Sequence, residues 1–166
     1  LKNTITSGDW VAGQIAAIDT VGRTIYLYAH GYDKKMNPYY YQVVKAHLDR
    51  EGVKLLSPED GQHKAEFSKS RKYFVDSYSR VDMEPRFTLK DNNGRVIIKD
   101  LAKVDVRRAY EMGWRAPERF VVKAADGLTD LHGIMWKPAD FDPNKKYPII
   151  SSVYPGPFFE YVSTSF

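Results

Sequence analysis

The segment Thr24-Ile25-Tyr26-Leu27-Tyr28-Ala29 is the clearest indication of the fold, because a segment of the same character returns later in the chain. Its β-branched and aromatic residues predict a strand. The triplet Tyr73-Phe74-Val75 lies 48 positions after Ile25-Tyr26-Leu27, within a second segment of this kind. Pro85 likewise lies 47 positions after Pro38. The two segments therefore mark a structural repeat.

Four strands separated by turn residues are predicted in each repeat. They cover residues 10–18, 24–29, 39–44 and 53–56, and then 64–68, 71–78, 84–89 and 95–98. A four-strand unit that recurs at this period is typical of β-propeller blades, with a seven- or eight-strand sandwich or a simple meander as the alternative. Two blades alone leave long unpaired edges, which folded proteins avoid. We therefore expect further blades upstream, and self-association or a homodimer through the open edges.

A different pattern follows the second repeat. Residues 104–112 have helical spacing, with Asp105 as a candidate N-cap and Gly113 at the predicted end. After a linker, two strands are predicted at 120–122 and 131–136 around a hairpin-type Asp-Gly turn. A polar loop then leads into Tyr147-Pro-Ile-Ile-Ser-Ser-Val-Tyr-Pro-Gly-Pro157, an apolar run that predicts a buried strand followed by a rigid loop.

The composition of the 166-residue chain limits its chemistry. Hydrophobic residues make up 43% and charged residues 28%, which suits a packed core. The chain has no cysteine, which excludes disulfides, cysteine-ligated zinc and a cysteine nucleophile. The net charge of +4 comes from scattered basic residues mixed with acidic ones, so we expect no nucleic-acid partner. No apolar run approaches the ~20 residues that span a bilayer.

The histidines, which are His30, His47, His63 and His132, lie far apart and lack the spacing of metal ligands. We therefore expect no metal site, and no motif indicates a cofactor. His63 is interpreted as a surface turn residue and His132 as a half-buried strand residue. The run Tyr39-Tyr40-Tyr41 is expected to pack between adjacent blades rather than to stack nucleic-acid bases.

A set of short motifs resembles the dipeptidyl peptidase IV subfamily of prolyl oligopeptidase-type serine peptidases. The set comprises Asp126-Gly127, Leu131-His132-Gly133, Lys137-Pro138, Phe141-Asp142, Lys145-Lys146-Tyr147-Pro148 and Val153-Tyr154-Pro155-Gly156-Pro157. It is specific as a set, although no single motif is. Trp10 and the repeat between Ile25 and Ile98 resemble that family's last two propeller blades, so the resemblance covers the whole chain.

The resemblance implies a mostly β fold, with residues 1–103 as the terminal two β-propeller blades and 104–119 as a helix and linker. It implies that residues 120–166 are the first strands of an incomplete α/β-hydrolase domain. Tyr154 falls on the family's oxyanion-hole tyrosine, whose hydroxyl donates a hydrogen bond to the tetrahedral intermediate. Pro155 and Pro157 would stiffen that loop, and Gly156 would let the backbone come close.

The nucleophile and the triad Asp and His are not expected in this chain. No Gly-x-Ser-x-Gly elbow occurs, and in this fold the triad Asp and His follow the serine. The family's Glu-Glu pair, which holds the substrate's free amino terminus, is also missing from the sequence. We therefore expect an inactive fragment of a serine exopeptidase that releases dipeptides, X-Pro or X-Ala, from peptide amino termini by acyl-enzyme chemistry. The resemblance implies a periplasmic, secreted or membrane-anchored parent.

Two alternatives stay open at this point. The parent could belong to a sister subfamily, such as the acylaminoacyl peptidases or oligopeptidases. The chain could instead be a non-catalytic β-rich module that binds a peptide or protein. A nucleophile elbow encoded downstream, followed by Asp and His, would favour the enzyme.

Overall fold

The computed structural model describes residues 3–154 and 161–166. Within these ranges the chain forms ten strands and one short helix. The strands of the repeats are β1 (Val11–Asp19), β2 (Thr24–His30), β3 (Tyr41–His47), β4 (Arg50–Leu55), β5 (Gln62–Phe67), β6 (Tyr73–Arg80), β7 (Met83–Asp91) and β8 (Val96–Lys103). They are followed by α1 (Arg107–Glu111), β9 (Glu118–Lys123) and β10 (Asp130–Met135).

Two antiparallel four-stranded sheets confirm the predicted repeat. Their strand orders are β1-β2-β3-β4 and β5-β6-β7-β8, and we call them blade 1 and blade 2. Consecutive strands are always neighbours in the sheet, which is the arrangement of a propeller blade. The chain is therefore mostly β, as predicted. Tyr26 and Phe74, the centres of the two repeated triplets, both lie in the second strand of their blade and belong to one core cluster.

The main core lies between the blades. Its buried members come from both sheets and from the connection between them: Ala17, Tyr26, Val43, Leu56, Ala65 and Phe74. The ring of Phe67 packs against Tyr26 at 4.4 Å and against Phe74 at 4.9 Å, measured between ring centroids. Because a fully buried large apolar side chain contributes about 1.5–3 kcal/mol, this packing is the main force that holds the blades together.

Hydrogen bonds also cross between the blades. The Tyr28 hydroxyl accepts from the Ala65 amide at 3.0 Å, and Gln62 Oε1 accepts from the Tyr41 amide at 2.7 Å. Tyr41 thus lies at the interface, as predicted for its tyrosine run. Tyr39, from the same run, instead packs edge-on against His132 with ring centroids 5.5 Å apart.

A second apolar cluster covers the other face of blade 1. Its buried members are Ile25, Leu27, Ala29, Val44 and Ala46, with Ile5, Trp10, Tyr32, Leu48, Val53 and Leu55 packed around them. Strands β2 and β3 are therefore buried on both faces. In blade 2, by contrast, every residue of β8 is exposed, because no described element covers that strand.

Strands β9 and β10 form a separate two-stranded hairpin. The predicted Asp-Gly turn is present: Gly127 has φ of +68°, and the Asp126 carboxylate accepts from the amides of Leu128 and Thr129. Glycine suits this positive φ because it has no Cβ to clash. His132 on β10 is half-buried, as expected.

The predicted buried strand after residue 146 is wrong for this structure. Residues 147–154 have no regular secondary structure, and Ile149 and Ile150 are 90% and 94% exposed. A strand requires a hydrogen-bonding neighbour, and no strand of the described residues pairs with this segment. Of the predicted sheet beyond the linker, residues 120–154 and 161–166 therefore form only the β9–β10 hairpin.

The helix is also shorter than predicted. It begins at Arg107 with Val106 as its N-cap residue, while the Asp105 carboxylate accepts from the Arg107 amide at 3.0 Å. Gly113, with φ of +91°, follows the helix end, as expected for a C-terminal glycine. In the described ranges, no helix is long and apolar enough to cross a membrane.

Candidate functional site

Tyr154 lies at the end of the first described range, residues 3–154. Its side chain is 59% exposed, and its ring lies 6.0 Å from that of Tyr161 between centroids. The hydroxyl of Tyr161 lies 3.1 Å from Ser152 Oγ, so these two described residues lie close together. Pro155, Gly156 and Pro157, which were predicted to stiffen the loop, lie outside the described residues. The structure therefore gives Tyr154 an accessible position on an irregular segment.

A cluster of ionisable residues lies where the connection between the blades meets blade 2, and we call Glu59, His63, Asp76 and Lys90 the buried cluster. His63, Asp76 and Lys90 are at most 1% exposed. Lys90 Nζ donates to Asp76 Oδ2 at 2.8 Å, to Glu59 Oε2 at 2.7 Å and to the carbonyl of Leu56 at 3.3 Å. The cluster thereby fastens the connection between the blades onto the middle of blade 2.

The interpretation of His63 as a surface turn residue is wrong. Its Nδ1 lies 2.9 Å from Asp76 Oδ1, and its Nε2 lies 2.8 Å from the carbonyl oxygen of Glu59. A carboxylate and a carbonyl oxygen only accept, so each ring nitrogen of His63 faces an acceptor oxygen.

Asp76 titrates abnormally in this setting. Burial disfavours its charged form, but the hydrogen bond and charge of His63, together with those of Lys90, outweigh burial. The pKa of Asp76 is therefore lowered below its ordinary value. The carboxylate stays ionised, as the hydrogen bonds from His63 and Lys90 require.

The His63–Asp76 pair resembles half of a catalytic triad but cannot act as one. In a triad the second ring nitrogen accepts the proton of a serine hydroxyl. Here that nitrogen, Nε2, is bound to the carbonyl oxygen of Glu59. The ring is also shielded from solvent, so no substrate reaches it.

Three members of the buried cluster have donor atoms close enough for a metal ion. One ligand atom each of Glu59, His63 and Asp76 lies within 4.8 Å of the others. The Lys90 ammonium, however, already binds both carboxylates. A metal ion would have to displace that buried cation, so we assign the cluster a structural role.

Sequence periodicity contained a signal for this cluster. His63 alternates with Ala65 and Phe67 along β5, which places all three on one face of the strand. Asp76 interrupts a predicted apolar strand in the same way. A charged or polar residue in register with buried apolar residues indicates a buried polar network, although its partners lie in other strands.

A second group of charges joins the hairpin to the blades, and we call Asp60, Arg80, Asp82 and Arg119 the charge quartet. Arg80 donates to Asp82 at 2.8 Å and to Asp60 Oδ2 at 3.0 Å. Arg119, from β9, lies 3.2 Å from Asp82 and 3.7 Å from Asp60. Arg119 also donates to the hydroxyl of the buried Tyr40 at 3.1 Å.

The quartet perturbs the titration of its members. Burial acts to raise the pKa of Asp82, but the hydrogen bond from Arg80 and the charge of Arg119 outweigh it and lower that pKa. Burial raises the pKa of Tyr40, which keeps its hydroxyl neutral, and the hydroxyl accepts from Arg119. No local sequence pattern predicts this group, because its members lie in separate turns and strands.

A cleft of about 550 Å³ opens between the blades. Its walls include Tyr28, Tyr41, Tyr78 and Phe87, with Lys64 among the polar groups. The end of the described chain reaches it, because Ser165 lines the cleft and the Phe166 amide donates to Ser79 Oγ at 3.2 Å. A segment of this chain thus already lies at the cleft.

Comparison with known proteins places these features in a family context. Residues 1–85 match the family profile described as the dipeptidyl peptidase IV N-terminal region. A probable dipeptidyl-aminopeptidase B of Botryotinia fuckeliana is 26% identical over 170 residues, covering 98% of this chain and 18% of the relative. Human dipeptidyl peptidase 8 is 25% identical over 172 residues, with 98% and 19% coverage. The chain spans about a fifth of the length of these relatives.

The likeness extends to a solved structure. The crystal structure of Porphyromonas gingivalis dipeptidyl peptidase 4 superposes with a TM-score of 0.60 at 23% identity. The match covers 87% of this chain and 20% of the other. At this identity the comparison establishes a shared fold.

Proposed function

This chain belongs to the family of dipeptidyl peptidase IV N-terminal regions, and from that premise we propose that it is a segment of a serine-type dipeptidyl peptidase. The observation that carries the proposal is the family match over residues 1–85, supported by dipeptidyl peptidases that align with nearly the whole chain. The proposed division is 1–103 for two blades, 104–119 for a helix and linker, and 120–166 for the start of the catalytic domain.

The reaction proposed for the longer peptidase is release of a dipeptide, X-Pro or X-Ala, from a peptide with a free amino terminus. A serine outside this chain would attack the peptide carbonyl and form an acyl-enzyme, which water then hydrolyses. This chain's contribution would be one hydrogen-bond donor. The Tyr154 hydroxyl would stabilise the oxyanion of the tetrahedral intermediate, because a donor placed where charge develops favours the transition state.

The exposure of Tyr154 supports this role. Its side chain is accessible, and it follows an exposed apolar run that would enter a larger sheet. The buried histidine and carboxylate of blade 2, His63 and Asp76, are hydrogen-bonded to each other, and His63 also contacts the carbonyl oxygen of Glu59. The 166-residue chain alone is therefore expected to hydrolyse no X-Pro chromogenic substrate, and hydrolysis by the purified chain through a serine of its own would refute the proposal.

Tyr154→Phe in the longer peptidase tests the role of the hydroxyl. Loss of one oxyanion donor lowers kcat by about 10²–10³-fold. KM should be nearly unchanged, because the donor binds the ground-state carbonyl more weakly than the oxyanion. Tyr161→Phe is the matched control, since its ring lies 6.0 Å from that of Tyr154. Steady-state kinetics on an X-Pro substrate measures both. An unchanged kcat in Tyr154→Phe would remove the residue from the mechanism.

A further inference from the structure

The β9–β10 hairpin has little intrinsic stability. It has two strands, and neither pairs with a blade strand in the described part of the chain. All six residues of β9 are exposed. A two-stranded hairpin in water is marginally stable at best. Contacts with the blades must therefore stabilise it in addition to its own hydrogen bonds.

Among the described residues, the charge quartet supplies the ion pairs that join the hairpin to the blades. Arg119 reaches three separate pieces of blade structure at once. Asp60 lies in the connection between the blades, Asp82 lies in the turn between β6 and β7, and Tyr40 lies just before β3. One guanidinium therefore fixes the hairpin in both position and angle, which a single apolar contact cannot do.

Arg80 holds the two carboxylates ready for Arg119. It donates to Asp82 through Nε and to Asp60 through Nη1, and also to the Asp60 carbonyl at 3.2 Å. The side chain of Arg80 is only 22% exposed, against 36% for Arg119. Arg80 thus belongs to the receptor formed by the blades, and Arg119 is the group that docks into it.

We propose that Arg119 is a positioning residue, which docks the hairpin onto the blades and thereby sets the orientation of the catalytic side of the peptidase. Its catalytic consequence rests on the proposed function, whereas its docking role does not. The segment that carries Tyr154 continues from β10, so the angle of the hairpin determines where that segment starts. A small rotation at Arg119 would displace a hydroxyl that must meet a developing charge.

Hydrogen–deuterium exchange of the 166-residue chain tests the docking directly. In Arg119→Gln, amides of β9 and β10 should exchange about five- to tenfold faster than in the wild type. The increase is modest because a few half-exposed ionic contacts add only a little to the stability of the hairpin. Amides of β2 and β3 should not change. Arg119→Lys keeps the positive charge, so its exchange rates in β9 and β10 should lie between those of Arg119→Gln and the wild type. Unchanged exchange in the hairpin, or an equal rise in β2 and β3, would overturn the proposal.

A matched control lies on the same strand. Lys123 pairs with Asp130 inside the hairpin, and among the described residues it forms no ion pair with a blade. Lys123→Gln should therefore leave the exchange of β9 and β10 close to wild type, and an effect equal to that of Arg119→Gln would contradict the assignment. High salt should loosen the wild-type hairpin more than that of Arg119→Gln, because about 1 M salt screens half-exposed charges and the variant already lacks the charge of Arg119.

Kinetics of the longer peptidase tests the catalytic half. Arg119→Gln should lower kcat about tenfold with KM within about twofold, since misplacement of a catalytic group acts on the transition state. Arg119→Lys should recover part of kcat, and Lys123→Gln should match the wild type. A loosened hairpin with unchanged kcat would overturn the positioning role. A longer protein with no peptidase activity would refute the proposed function instead, while the exchange measurement still decides the docking.

Discussion

Lys90 is the residue on which the buried cluster depends. Its ammonium is inaccessible to solvent and binds two carboxylates and a carbonyl oxygen. A buried charge is tolerated only where partners replace its hydration. Here the partners come from β6 and from the connection between the blades, so the same contacts that satisfy Lys90 also hold that connection in place.

Lys90→Met tests this dependence. The substitution leaves Asp76 and Glu59 without their cation, and breaking a buried ion pair from one side costs about 3–5 kcal/mol of unfolding free energy. Urea unfolding at neutral pH measures the loss. Lys64→Met is the control, because Lys64 pairs with Glu66 at the exposed surface of the same blade and should unfold close to wild type. Equal stability of the two variants would show that Lys90 has no structural role.

At the scale of the element, strand β6 has two different faces. Phe74 is 1% exposed and packs on Phe67 in the core between the blades, while Val75 points to the opposite face and is only partly buried. The inner face therefore holds the two sheets together. The outer face of the same strand contributes little to that contact.

Phe74→Ala and Val75→Ala separate the two faces. Phe74→Ala removes an aromatic ring from a packed core and should cost about 3–5 kcal/mol. Val75→Ala, one residue away on the opposite face, should cost about 1 kcal/mol. Denaturant unfolding followed by intrinsic fluorescence reports both. If Val75→Ala were as costly as Phe74→Ala, the apolar contact between the blades would not be the main stabilising interaction.

At the scale of the whole molecule, the two blades expose apolar surface. Val96, Ile97, Ile98 and Leu101 of β8 are each 42–45% exposed, and Ile149 and Ile150 are far more so. Exposed edge strands and contiguous apolar patches favour association. No described residue covers the apolar side chains of β8, Ile149 or Ile150.

The 166-residue chain should therefore self-associate in solution. Sedimentation equilibrium at increasing concentration should give an average mass that rises above 19.1 kDa towards that of a dimer. Ile97→Lys should weaken association if the β8 edge is the contact, because a charge on an edge strand opposes pairing. Ile150→Lys is the comparison for the irregular segment. A monomer at all concentrations would contradict this prediction.

The strands of both blades were predictable because their signal is local. Alternating β-branched and aromatic residues bounded by turn residues favour a strand, and in the blades neighbouring strands supply its hydrogen-bonding partners. The period revealed the blades. The same reasoning identified the Asp126-Gly127 hairpin. It also located Tyr154 at a loop, although its catalytic role remains a prediction.

The sequence alone determined the repeat, the two blades, the hairpin and the absence of a nucleophile elbow. The three-dimensional arrangement was needed to show that His63 is buried and doubly hydrogen-bonded, that Arg119 joins three separated segments, and that residues 147–154 form no strand. The reason is physical. Strand propensity depends on residues that are neighbours in the sequence, whereas burial, ion pairing and strand formation depend on partners that lie far away in the chain.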